Sequence, residues 1–142
     1  MTLLESLLVI LIVSMTMLLP ILAYRRWEHQ LVNKQFFSDL ENSYHRTQLS
    51  AVQNAKGTYL YIDAQEGITC LYYSFGEKKI EELIQVPATI ESPSKVSISF
   101  KSMSGNVSQA NKFYFIDQLN QVKVTYTVQI GSGKLVKKID VL

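Results

Sequence analysis

The chain has 142 residues, 47% of them hydrophobic and 18% charged, which excludes a disordered polymer and allows one packed core with one appended element. Its 14 basic and 12 acidic side chains leave a formal charge of +2, too even a balance to predict a concentrated phosphate-binding face. Cys70 is the single cysteine, so an intramolecular disulfide and a multi-cysteine metal site are both excluded. Between Thr69 and Leu71, its thiol reads as a small buried hydrophobe.

The N-terminal stretch is the most informative. From Leu7 to Tyr24 no residue is charged, and only Ser14 and Thr16 are clearly polar. As a helix this run rises about 27 Å, close to the roughly 30 Å hydrocarbon core of a bilayer. Leu7, Leu8, Val9, Ile10, Leu11, Ile12 and Val13 are its apolar body, and Pro20 is expected to kink the helix or melt a turn. Arg25, Arg26 and Trp27 then supply a basic and aromatic edge of the kind found at membrane surfaces. A cleavable signal is disfavoured, because no Lys or Arg precedes the run and no A-x-A-like site follows it. Glu5 stands at the mouth of this run. A charge there costs less than the about 2.5–3.5 kcal/mol of a membrane-helix centre, but it still calls for a partner. The nearest candidate cation is the α-amino group of Met1 on a neighbouring subunit; the alternative is that Glu5 reaches back to the headgroups.

The segment Met1, Thr2, Leu3, Leu4, Glu5, Ser6, Leu7, Leu8, Val9 resembles the N-terminus of mature type IV pilins and pseudopilins. The resemblance implies a precursor whose basic leader, ending in Gly, is removed by a prepilin peptidase. It also implies an N-methylated first residue, commonly Phe where this chain has Met1, and an acid at the fifth position that answers an N-terminal amine in the filament. Arg25 and Arg26 alone would hold the C-terminal side inside the cell. The implied leader reverses that orientation and places the C-terminal domain outside, on a single-pass membrane protein that enters a surface pilus. More narrowly, Phe37 to Gln48 resembles the helix of ComGD-type minor pseudopilins of Gram-positive competence systems, and Gly131 to Ile139 resembles their last hairpin. Other major and minor pilin-like subunits, the membrane and the prepilin peptidase are the implied partners. Filament assembly and DNA uptake are the implied role. A type II secretion-like pseudopilin and a single-pass receptor with an external binding domain are the alternatives.

Beyond Arg26 the pattern stays helical but becomes amphipathic. Trp27, Leu31, Phe37, Leu40, Tyr44, Thr47 and Ala51 recur mostly at three- and four-residue spacings, predicting a stripe that packs on a sheet. The helix is expected to run from Thr2 to Lys56 and to end on Gly57 in a left-handed cap. Residues 1–56 thus form the helical part, with 1–24 spanning the membrane and 25–56 amphipathic, and 57–142 form the β-domain. Predicted strands are Thr58 to Ile62, Ile68 to Phe75, Ile80 to Val86, Val96 to Lys101, Phe113 to Asp117, Val122 to Ile130 and Lys134 to Val141. Val122, Val124, Tyr126, Val128 and Ile130 share one face. Gly131, Ser132 and Gly133 make the turn, and Leu135, Ile139 and Val141 are expected to continue the buried face. The polar stretch Ser102 to Asn111 is expected to be mobile. The fold class is α+β, a long N-terminal helix packed on an antiparallel β-sheet.

No catalytic constellation emerges. His29 and His45 are 16 positions apart on the helix and read as solvated; Glu81 and Glu82 fall on opposite faces of a strand. Nucleophile-elbow, zincin and paired-cysteine motifs are absent, so no enzyme, cofactor or metal is predicted. Lys134, Lys137 and Lys138 cluster near the C-terminus. They are the best candidates for a weak DNA contact, against the simpler reading of lysines protecting an edge strand.

Overall fold

A computed structural model describes residues 3–74, 78–92 and 95–142. One helix, α1 (Leu3–Gln53), is followed by eight strands: β1 (Thr58–Asp63), β2 (Gly67–Tyr73), β3 (Lys79–Ile84), β4 (Ile90–Glu91), β5 (Val96–Phe100), β6 (Asn111–Asp117), β7 (Val122–Val128) and β8 (Leu135–Val141). They form two antiparallel four-stranded sheets, ordered β3-β2-β1-β5 and β4-β6-β7-β8, where the sequence predicted a single sheet. Val107 joins the two, bridging Phe100 on one side and Gly131 on the other.

Helix α1 is assigned without a break through Pro20, so no turn melts there, although proline withdraws one backbone donor. Its end differs from the expected glycine cap. Asn54 N donates the last helical bond to the Ser50 carbonyl, and Ala55, at φ 50°, takes the left-handed conformation assigned above to Gly57. The exit is fastened to β2. Ser50 Oγ donates to the Tyr73 carbonyl at 2.9 Å and accepts from Tyr73 N–H at 2.8 Å, while Asn54 Nδ2 donates to the same carbonyl.

Both sheets bury one face against the lower half of α1. Leu60, Ile62, Ile68, Cys70 and Ile98 come from the first sheet, Phe113, Phe115, Val124, Tyr126 and Val128 from the second, and Phe36, Phe37, Leu40, Tyr44 and Ala51 from the helix. Cys70 is fully buried as expected, and burial, with the Glu82 charge second, pushes its thiol up to about 11.

Two expectations about burial are corrected. Trp27 and Leu31 belong to the helical stripe by spacing but stand exposed, because the sheets reach the helix only from Asn33 onward. Ile130, Ile139 and Val141 are also exposed. Ile130 lies in the turn past the end of β7, and β8 is the sheet edge, where Ile139 and Val141 extend past the helix, so period-two alternation continues where its cover has run out.

The stretch Ser102 to Asn111 is pinned rather than free. Met103 N–H donates to the Ala51 carbonyl and Val107 exchanges two backbone bonds with Gly131. Gln48 Nε2 donates at once to the carbonyls of Gly105 (3.1 Å) and Ser132 (2.9 Å). Gly133 has a φ of 62°, which favours glycine, and a Cβ there would lie 2.7 Å from that Nε2 atom and push the Gln48 side chain off its bonds.

Candidate functional site

The upper part of α1 is an apolar rod on which nothing packs among the described residues. Leu7, Leu8, Val9, Ile10, Leu11, Ile12 and Val13 are all exposed, from 44% at Val13 to 63% at Ile10. The 18-residue apolar window within α1 has length and composition enough to cross a membrane. Its few hydroxyls are turned inward: Ser6 Oγ donates to the Leu3 carbonyl, Ser14 Oγ to Ile10 and Thr16 Oγ1 to Val13, all within 2.9 Å. With those bonds made, the rod keeps almost no unpaired polar group to present to an apolar medium. Glu5 is exposed in the first turn of the helix. Met1, its anticipated counterpart, lies outside the described residues. Pro20 is exposed within the rod, and the rings of Tyr24 and Trp27 lie 6.0 Å apart below it, tilted by 47°.

Where the rod enters the globular part, a polar junction holds it. Asn33 Nδ2 donates to Asp117 Oδ1 at 3.0 Å, and Thr89 Oγ1 donates to Asn33 Oδ1 at 2.7 Å. Asp117 is 2% exposed and makes no ion pair among the described residues; the amides of Leu119 and Asn120 and the Asn120 side chain supply its remaining donors. Gln30 Nε2 then reaches Asn120 Oδ1 at 3.3 Å. Sequence reasoning passed over Asn33 and Asp117. The available signal was an Asn on the buried stripe and an Asp ending a strand just before a turn.

Lower down, one ion pair on each flank ties α1 to each sheet. Arg46 meets Glu82 of β3 at 3.2 Å, and Glu41 meets Lys137 of β8 at 2.9 Å. Burial raises the Glu41 carboxyl, but hydrogen bonds from Lys137 and Tyr126 outweigh it and hold the group below its ordinary value of 4.5. A depressed folded-state value means this pair stabilises fully above that pH. As the pH falls further the unfolded chain takes up its proton first and the contribution is lost. Thermal melts are therefore expected to lose stability below about pH 4.5 less steeply in Glu41→Gln than in the parent. Burial also pushes the Tyr44 and Tyr126 hydroxyls well above the ordinary tyrosine range, so both remain donors, to the Gly133 carbonyl and to Glu41.

The three C-terminal lysines do not form one cluster. Lys137 faces the helix and lies over the rings of Phe37 and Tyr126; Lys138 faces the other way and pairs with Asp140 at 2.8 Å; Lys134 is exposed at the start of the hairpin's second arm. A groove of about 400 Å³ runs between α1 and β3, with Asp39, Arg46 and Glu82 among its lining residues. Among the described residues no three His, Cys, Asp or Glu side chains gather as a metal site.

A long apolar helix whose lower half seats on antiparallel sheets is the architecture of a type IV pilin-like subunit. No family model matches the chain, and no solved structure matches it. Competence protein ComGD of Streptococcus pneumoniae (strain ATCC BAA-255 / R6) is 32% identical over 135 residues, covering 94% of this chain and 76% of that protein. The chain belongs to the ComGD family of competence pseudopilins.

Proposed function

We propose that the protein is a minor structural subunit of a competence pilus, supporting filament assembly and, through it, DNA uptake. The carrying observation is the rod of α1. Its described side chains are mostly apolar and exposed, it stands free of its own domain and is tied to it at Asn33, and it has the form of an element meant to be covered by lipid or by other such helices. In this reading residues 1–24 sit in the membrane and then in the filament core. Residues 25–56 carry the 57–142 domain, which lies outside the cell. A prepilin peptidase processes the precursor, and pilin-like subunits are the partners.

Glu5 is assigned the pairing role. An acid among apolar helices is stable only beside a cation, and the amino terminus at Met1 of an adjacent subunit supplies one. Removing one member of a buried charge pair costs about 2–5 kcal/mol. Glu5→Ala in the full chain is therefore expected to leave folding and membrane insertion intact while lowering transformation by about tenfold or more. Transformation at the parental level would refute the assignment.

A further inference from the structure

The face of the second sheet turned away from α1 carries a set of cations that the net charge conceals. Strand register puts Ile116, Lys123 and Asp140 in one row, Tyr114, Thr125 and Lys138 in the next, and Lys112, Thr127 and Val136 in a third. Lys134, whose carbonyl accepts from Gln129 N–H at 3.0 Å, opens a fourth row at the hairpin. Side chains alternate across a strand, so these residues share the surface opposite Phe113, Phe115, Val124 and Tyr126.

Four lysines thus stand on one face, with Asp140 paired to Lys138 and Glu91 at the margin beside Ile116. Among the described residues no carboxylate pairs with Lys112, Lys123 or Lys134. Tyr114 lies between them, with Lys123 Nζ 4.1 Å from its ring centre. Lys112, Tyr114, Lys123, Thr125 and Asp140 enclose a depression of about 380 Å³.

We propose that this face binds the sugar–phosphate backbone of DNA, an inference resting on the reading of the chain as a competence-pilus subunit. Four rows span about 20 Å along the strands. Duplex DNA presents one charge per about 1.7 Å of axis, so the lysines meet several phosphates together. The Tyr114 ring beside the Lys123 ammonium adds a surface for base stacking on single strands. Anionic lipid offers the same phosphate chemistry but is less well placed. The sheets seat on α1 from Asn33 onward, about 12 Å of helical rise beyond Arg25 at the membrane edge.

The test uses the full chain in neutral detergent micelles, with fluorescence anisotropy of a labelled single strand and a labelled duplex at about 50 and about 200 mM salt. The parent is expected to bind both, with affinity falling steeply as salt rises. Lys112→Glu with Lys123→Glu is expected to weaken binding at least about tenfold at low salt. Lys79→Glu with Lys101→Glu, equal in net charge but on and beside the first sheet, should stay within about twofold. Tyr114→Ser should lower single-strand affinity about fivefold or more, with Tyr114→Phe close to the parent. Unchanged melting temperatures would confirm that the variants fold. A parent without salt-sensitive binding, or equal losses in the two double variants, overturns the proposal. So does loss of binding to phosphatidylglycerol vesicles, with DNA binding intact, in the Lys112/Lys123 variant. Failure here with a preserved Glu5→Ala transformation defect would remove the DNA face and leave the assembly reading standing.

Discussion

Asp117→Ala is expected to lower the stability of the globular part by about 3–5 kcal/mol, as when one partner of a buried, hydrogen-bonded polar group is removed. The carboxylate accepts from Asn33, from two backbone amides and from the Asn120 side chain, and all four donors would lose that acceptor, Asn33 in a buried position and Asn120 at the surface. Asp117→Asn should cost less, since one carbonyl oxygen keeps part of the set. At roughly 3 °C per kcal/mol for a chain of this size, the alanine variant should melt about 10 °C or more below the parent. Because the junction also fixes where α1 leaves the sheets, limited proteolysis should show new cleavage near Asn120 before the sheets unfold. A melting shift below about 3 °C would show that water fills the site and carries the lost bonds.

Phe115→Ala should cost as much for a different reason. The ring is fully buried and lies edge-on to Phe36 at 5.4 Å, to Phe37 at 6.1 Å and to Phe113 at 6.0 Å, with Tyr126 6.3 Å away. Truncation removes a large apolar surface and the aromatic contacts together, a loss of about 3–5 kcal/mol when the cavity cannot collapse. Collapse is opposed on every side, since the neighbours are rings held by the helix and by two strands. Phe115→Leu, which keeps most of the volume, should recover about half of the loss by chemical denaturation at neutral pH. Equal stabilities for the two variants would mean that the cluster repacks freely.

The helix and the strands longer than two residues were legible because each declares itself locally. Alternation ran through Phe113 to Asp117 and Val122 to Val128, and the structure moves most strand ends by only one or two residues. Strand β4 has two residues, Ile90 and Glu91, too few for any period to register. Periodicity also says which residues share a face, but not what lies against it. Leu135, Ile139 and Val141 do share one, yet Ile139 and Val141 extend past the helix that would cover them.

The same distinction governs the site. Glu5 was legible from chemistry alone, as an acid in an apolar run. Asn33 and Asp117 meet across 84 positions of chain, and no local pattern announces such a pair. The lysines misled in both directions: Lys137 and Lys138 are neighbours in sequence and diverge in space, whereas Lys112 and Lys123 come to share a face only through the β6–β7 register. Counting charges over the whole chain averaged away what the pleat separates.

The inward-turned hydroxyls of α1 have an energetic consequence. Fatty-acyl tails and the flanks of neighbouring leucine-rich helices are almost equivalent solvents for such a surface, so transfer from one to the other carries little hydrophobic driving force. On the proposed reading, subunits held in the bilayer would be drawn into a filament, and returned, near equilibrium, and the direction of traffic would be set by what engages the first turn of α1.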